Sequence, residues 1–249
     1  MGELTDAVAS VRPGDTVWLG NFGAQLFAVG EELVRAGIRD LHVVVASGGL
    51  LLDRLIGAGA VAEATFAHCW SAVGPAPAWN FRRAWQDGAP IRWHELPMGV
   101  LAAALDAAAR GVPFAPVNVN EDTGFATGDW SGGMLARAES PFGAATVVAA
   151  LPVDVAFVHA ALADAAGDCA FGEPSGEALA AARAARRVVV VAERIAPATE
   201  VRAAGVDLPG LLVDTVVALP GAVAPDGVPG HYPRNVEAYE AAVAAGRPA

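Results

Sequence analysis

Two cysteines, Cys69 and Cys169, in 249 residues are too few for a disulfide framework in a chain of this size. Both read as reduced, largely buried thiols, which suits a cytoplasmic protein. Positive charge is scarce as well. The chain has 16 Lys and Arg against 27 Asp and Glu, a formal net charge of −11. A negative field of that size repels phosphate backbones and argues against a nucleic-acid partner. It also opposes any anionic ligand, so local arginines, backbone donors or a partner chain have to offset it. Long apolar runs are missing too. The best candidate, residues 99–109, is interrupted by Asp106 and closed by Arg110-Gly111, so no membrane association is expected. The opening Met1-Gly2-Glu3-Leu4-Thr5-Asp6 lacks the basic start and apolar stretch of a secretion signal.

Several catalytic signatures are absent. His94-Glu95-Leu96-Pro97-Met98 begins like a zinc-protease helix, but ends in Met where the second histidine belongs, and Pro97 would disrupt the helix. No Cys/His cluster has structural zinc spacing, and no metal site is expected. There is no Gly-x-Ser-x-Gly elbow and no Walker A loop. Gly57-Ala58-Gly59 lacks the third glycine and the strand-turn-helix setting of a dinucleotide site. His159 and Asp164 allow a base relay, although a histidine ending a strand with its ring hydrogen-bonded is the plainer reading.

What remains is a chain rich in core material. Hydrophobic residues make up 54% and charged residues 17%, ample for a sizeable core and poor in the composition of disorder. Short β-branched runs alternate with helical patterns. Residues 16–19 and 41–46 read as strands, 64–69 and 91–95 as shorter ones, and 26–34 and 100–109 as helices stopped by Gly37 and Gly111. In the second half, residues 146–150, 154–158, 188–191 and 211–219 read as strands and 177–187 as an alanine-rich helix. Uncharged runs such as Val43-Val44-Val45 and Val188-Val189-Val190-Val191 suit strands covered on both faces. The expectation is an α/β fold with a largely parallel sheet flanked by helices. Residues 70–80 and 118–143 are glycine- and proline-marked stretches without a period, as functional loops often are. One domain over residues 1–249 is expected, with 223–249 wrapping back or docking on a partner.

Two glycine-rich turns carry the functional signal. Gly20-Asn21-Phe22-Gly23 follows the first strand, and Ser47-Gly48-Gly49 follows the second. Open α/β sheets bind ligands beyond the carboxyl ends of their strands. Glycine there lets backbone N–H groups approach a carbonyl oxygen or phosphate. Each turn also reads simply as a tight strand-to-helix connection.

The order of these pieces resembles the alpha subunits of family I CoA-transferases, especially those of the glutaconate CoA-transferase type. The matching segments are the two glycine turns, Asp53-Arg54-Leu55-Ile56-Gly57-Ala58-Gly59-Ala60-Val61, and Asn80-Phe81-Arg82-Arg83-Ala84. Further on come Gly111-Val112-Pro113-Phe114-Ala115-Pro116, Pro152-Val153-Asp154-Val155-Ala156-Phe157-Val158-His159, Pro220-Gly221-Ala222 and Gly230-His231-Tyr232. The resemblance implies the CoA-transferase (NagB/RpiA-like) fold and a homologous beta subunit, in a heterodimer or an α2β2 complex. It implies CoA and acyl-CoA as substrates, with a carboxylic acid as acceptor and no permanently bound cofactor. A beta-subunit glutamate would attack the thioester, and the acyl-enzyme anhydride would be opened by CoA before transfer to the acceptor.

On that resemblance this chain supplies no nucleophile, because Trp70-Ser71-Ala72-Val73-Gly74 carries no carboxylate where the beta chain has its glutamate. Glu95 is the remaining candidate acid, with a salt-bridged strand end as the alternative; Glu63 is also nearby in sequence. Substrate or oxyanion contacts fall to Gly20, Phe22, Gly23, Gln25, Ser47, Gly48, Gly49, Ser71 and Asn118. Arg82 and Arg83 are candidates for the CoA phosphates, or for ion pairs. Trp70, Trp79, Trp85 and Trp93 line an acyl pocket or, the favoured reading, pack a subunit interface. A related ring-cleaving hydrolase group has a glutamate where this chain has Met98, which counts against ring hydrolysis by that route. An acyl-CoA hydrolase or other acyl-processing enzyme on the same scaffold, and a non-catalytic scaffold subunit, are the rival readings.

Overall fold

A computed structural model describes residues 2–21, 24–70, 77–120, 122–127, 130–172 and 175–247. The first half runs α1 (Leu4–Ala9), β1 (Thr16–Trp18), α2 (Phe27–Arg35), β2 (Leu41–Ser47), α3 (Gly49–Gly57), β3 (Val61–His68), α4 (Trp79–Gln86), β4 (Arg92–Glu95), α5 (Met98–Ala109), β5 (Phe114–Val117), α6 (Gly124–Thr127) and β6 (Leu135–Ala138). The second half runs β7 (Ala145–Ala149), β8 (Val153–Ala163), β9 (Cys169–Ala170), α7 (Ala178–Ala184), β10 (Ala185–Ile195), α8 (Ala198–Ala204), β11 (Thr215–Ala218) and α9 (Val236–Ala245). Among the described residues no helix is long and apolar enough to cross a membrane.

The main sheet has the order β11-β10-β8-β1-β2-β3-β4, parallel throughout, with β9 folded antiparallel onto the end of β8. Its strands feed two cores because successive side chains point to opposite faces. On β10, Val189 and Val191 enter one core with Leu33, Leu55 and Phe157, while Val188, Val190 and Ala192 enter the other with Leu101, Leu105 and Val158. A strand buried on both faces has no use for alternation, which is why Val188–Val191 reads as an unbroken run. The C-terminal helix reaches back to the first core. Tyr239 is buried and meets the Phe27 ring edge-on, 6.4 Å between centroids.

The sequence expectation fails in three places. The helix expected over 177–187 ends at Ala184, and the chain becomes β10 from Ala185, which pairs with Val153. Alanine content favours helix, but extended pairing along β8 draws the residues before Val188 into the strand. Residues 211–219 divide into a 3-10 turn, Gly210–Leu212, and the short β11. Residues 146–150 do not join the main sheet. They form β7, the centre of a separate antiparallel sheet of order β5-β7-β6. That small sheet also orders part of the stretch expected to be irregular.

Candidate active site

The strand order reverses at β1 and β8. From β1 the chain steps outward through β2, β3 and β4; from β8 it steps the other way through β10 and β11. In open α/β sheets such a switch point marks the ligand crevice at the carboxyl ends of the strands. The turn after β1 enters it. Gly20 has φ +92°, and a Cβ there would collide with the Ala24 carbonyl. The turn is closed by Ala24 N–H donating to Asn21 O at 2.9 Å and Leu26 N–H to Leu19 O at 2.9 Å.

The next turn is bound to the first. Gln25 is buried, and its Nε2 donates to the Ser47 carbonyl and, at 3.4 Å, to that of Gly48. Ser47 Oγ pairs with His68 Nε2 at 2.9 Å. Burial lowers the pKa of His68, which favours the neutral ring. The Gly48 N–H, expected to face a ligand, donates instead to the His68 carbonyl at 2.8 Å. Gly49 opens α3, where first-turn N–H groups have no intrahelical acceptor. Gln25, Ser47 and Gly48 thus brace the rim, and Gly49 is the residue of that turn with a donor left to offer. Phe22, Gly23 and Ser71 lie outside the described residues. Asn118 is exposed just past β5 and does not line the cleft beside this rim.

Sequence reasoning missed the pair that bridges the switch point. The Asn21 amide donates to Glu177, 156 residues further along, and its own Oδ1 is buried without a partner among the described residues. Burial raises the pKa of Glu177. No local pattern signals this contact, because it exists only once the two halves of the sheet close.

Beyond β3 and β4 the rim opens into a cleft of about 960 Å³. Cys69, Trp70 and Glu95 line it from the strand ends, and Trp79, Phe81, Arg82 and Trp85 from α4. Phe81 anchors the wall, edge-on to Trp93 at 5.1 Å and stacked with Trp85 at 6.3 Å. Burial raises the pKa of Glu95, and its carboxyl has no hydrogen-bond partner among the described residues. Burial, helped by nearby Asp53, pushes the Cys69 thiol well above its ordinary value, so it stays protonated and unreactive. Arg82 lines the cleft, whereas Arg83 is turned to Asn80 Oδ1 at 2.6 Å.

The aromatic helix is held by one acid. Asp53 on α3 is 3% exposed and accepts from the Phe81 N–H and the Asn80 amide, both at 2.9 Å. It caps α4 from a neighbouring helix. Asp53→Ala is expected to cost about 1–2 kcal/mol, read by urea denaturation, with Asp53→Asn costing less because one acceptor survives. Equal losses in the two variants would remove the capping role.

Two other acids are occupied elsewhere. Glu63 sits at the amino ends of the strands, bound to His94 Nε2 at 2.8 Å and to Arg92. His159 does not pair with Asp164, as a base relay would require. Its Nε2 meets Glu193 Oε1 at 2.9 Å, while Asp164 accepts N–H groups of Ala166 and Asp168 in its own turn. Among the described residues no group of His, Cys, Asp and Glu is arranged to hold a metal ion.

The coenzyme A transferase family model matches residues 2–219. The chain belongs to the coenzyme A transferase family. It is 30% identical to the A subunit of glutaconate CoA-transferase from Acidaminococcus fermentans over 251 residues, covering 92% of this chain and 78% of that one. The crystal structure of glutaconate coenzyme A-transferase from that organism superposes with a TM-score of 0.89 over 99% of this chain and 84% of that chain, at 26% identity. The cholesterol ring-cleaving hydrolase IpdA subunit of Mycobacterium tuberculosis is 32% identical over 236 residues, covering 88% and 78%. The decarboxylase AibA/AibB superposes with a TM-score of 0.87 and 28% identity, over 98% and 91%. The fold is thus the CoA-transferase fold, and the chain is a CoA-transferase-like enzyme. β4 ends on an acid, Glu95, and Met98, three residues on, is 43% exposed at the first position of α5.

Proposed function

We propose that this chain is the alpha-type subunit of a heteromeric CoA-transferase. It moves CoA between an acyl-CoA thioester and a carboxylic acid, and a homologous beta subunit supplies the nucleophilic glutamate. The observation that carries this reading is the near end-to-end superposition on glutaconate coenzyme A-transferase. The braced glycine rim beside the cleft is the matching half of such a site. The beta-chain carboxylate attacks the thioester carbonyl and the CoA thiolate leaves, forming an acyl anhydride. That thiolate then attacks the enzyme's carbonyl of the anhydride and releases the donor acid. The acceptor carboxylate attacks the resulting enzyme–CoA thioester, and a second anhydride returns CoA to the acceptor acyl group. The alpha chain's part is to orient the thioester and to place N–H groups at the oxyanion. Gly20 and Gly49 do so from the rim, with Phe22, Gly23 and Ser71 as further donors by their place in the sequence. Arg82 offsets CoA phosphate charge on a chain whose net charge is −11.

The test is reconstitution. The purified chain is expected to show no CoA exchange alone and to gain it when co-produced with the homologous beta chain. Exchange should require an acceptor acid, and hydroxylamine should intercept the enzyme–CoA thioester, releasing CoA and leaving the beta-chain glutamate as its hydroxamate. Activity of the isolated chain would overturn the division of labour. Release of free CoA without an acceptor would make the complex a hydrolase instead.

A further inference from the structure

We propose that the aromatic cleft beyond β3 and β4 is the acyl pocket and that it takes an aromatic acyl group. This rests on the acyl-CoA reading above and adds the substrate class to it.

The wall is built for a flat apolar ring. Phe66, Phe81 and Trp93 brace one another edge-on, with centroids 5.1–6.2 Å apart and planes at 75–89°. Trp85 continues from Phe81 as a stacked ring, 24° from parallel, and is 45% exposed. A planar ligand ring laid on Trp85 extends that stack in the offset geometry aromatic pairs prefer. Trp70, 61% exposed at the end of β3, lines the same space. A volume of about 960 Å³ is ample for an arene and the thioester end of its pantetheine arm.

The polar groups fit this occupant. Among the described lining residues Arg82 is the cation, and its guanidinium makes no ion pair with a described residue. It lies one helical turn from Trp79 and Trp85 on the exposed side of α4, within reach of a CoA phosphate at the mouth of the cleft. Burial disfavours charge on Glu95, so the cleft is less anionic than its sequence suggests. The wall is also rigid, since Asp53 fixes the start of α4, which carries Phe81 and Trp85.

The alternatives are a beta-chain segment seated in the cleft, or a dicarboxylic acyl group held by Arg82. Binding of phenylacetyl-CoA and glutaryl-CoA to the assembled complex, measured by calorimetry, separates them. Phenylacetyl-CoA is expected to bind at least about tenfold more tightly. Trp85→Ala should remove most of that ratio, Trp85→Phe should keep it, and Leu211→Ala, an exposed control, should not move it. Arg82→Ala should weaken both esters alike, because they share the CoA moiety. Equal or tighter binding of glutaryl-CoA overturns the proposal, as does an unchanged ratio in Trp85→Ala. Failure of Trp85→Ala to form the complex also overturns it and makes the wall an interface. If the aryl ester binds preferentially but no acid accepts CoA, the transferase reading fails and the pocket assignment stands.

Discussion

Glu193→Ala is expected to lower folding stability by about 3–5 kcal/mol, more than any exposed substitution. Glu193 lies on β10 and is 8% exposed. Its Oε1 accepts from His159 Nε2 on β8 at 2.9 Å and from the Tyr232 hydroxyl at 2.8 Å, and its Oε2 accepts from the Gly221 N–H at 2.8 Å. One carboxylate thus ties two central strands to the segment that leads into α9. Removing it takes the shared acceptor from all three groups. Urea denaturation of the variant reads the loss, and limited proteolysis after β11 should accelerate. A loss below about 1 kcal/mol would mean that the burial of Tyr239 and Val243, not this network, holds the C-terminal segment.

The same residue predicts a pH effect with a definite sign. Burial pushes the Glu193 carboxyl up, but the hydrogen bonds from Gly221, His159 and Tyr232 outweigh it, and its pKa lies below the ordinary 4.5. A depressed folded-state value means that the contribution is present above the unfolded pKa. It is lost as pH falls through the folded value. Acid destabilisation below pH 4.5 should therefore be steeper in the wild type than in Glu193→Gln, which has no charge to lose.

Gly20→Ala is expected to reduce CoA transfer by the assembled complex about 100-fold, with a stability cost of about 1–3 kcal/mol. The residue is in the left-handed region at φ +92°, and the new Cβ would meet a backbone carbonyl, not a movable side chain. The turn has to open, carrying Gln25 and with it the Ser47 carbonyl that Gln25 holds. Gly14→Ala is the control. Its φ is +89°, but nothing lies within 4 Å of the added carbon. It should lose about 1 kcal/mol and keep full kcat/KM. Equal activity in the two variants would separate the β1 turn from the site.

The parts of this protein that local chemistry determines were legible. Val188–Val191 had to be a doubly covered strand because four adjacent β-branched residues suit a strand buried on both faces and have no polar face to turn outward. Gly20 had to mark a special turn because only glycine takes that φ without strain. The alternation of such strands with helices, and the order of the segments, carried the fold and the family resemblance.

What closure alone decided was which groups meet. Residues 185–187 look helical until β8 lies alongside them to pair. Asp53 caps a helix that begins 26 residues later, and Asn21 finds Glu177 across the switch point. Four tryptophans within a short stretch read as the lining of an acyl pocket or, by preference, as interface material. The strand ends and α4 brought three of them onto one cleft with Glu95 and Arg82, and set Trp93 behind as support. Backbone periodicity and turn geometry depend on each residue and its chain neighbours, so the sequence determined them. Burial, hydrogen-bond partners and the pKa values that follow depend on residues far away in the chain, so only the tertiary structure decided them.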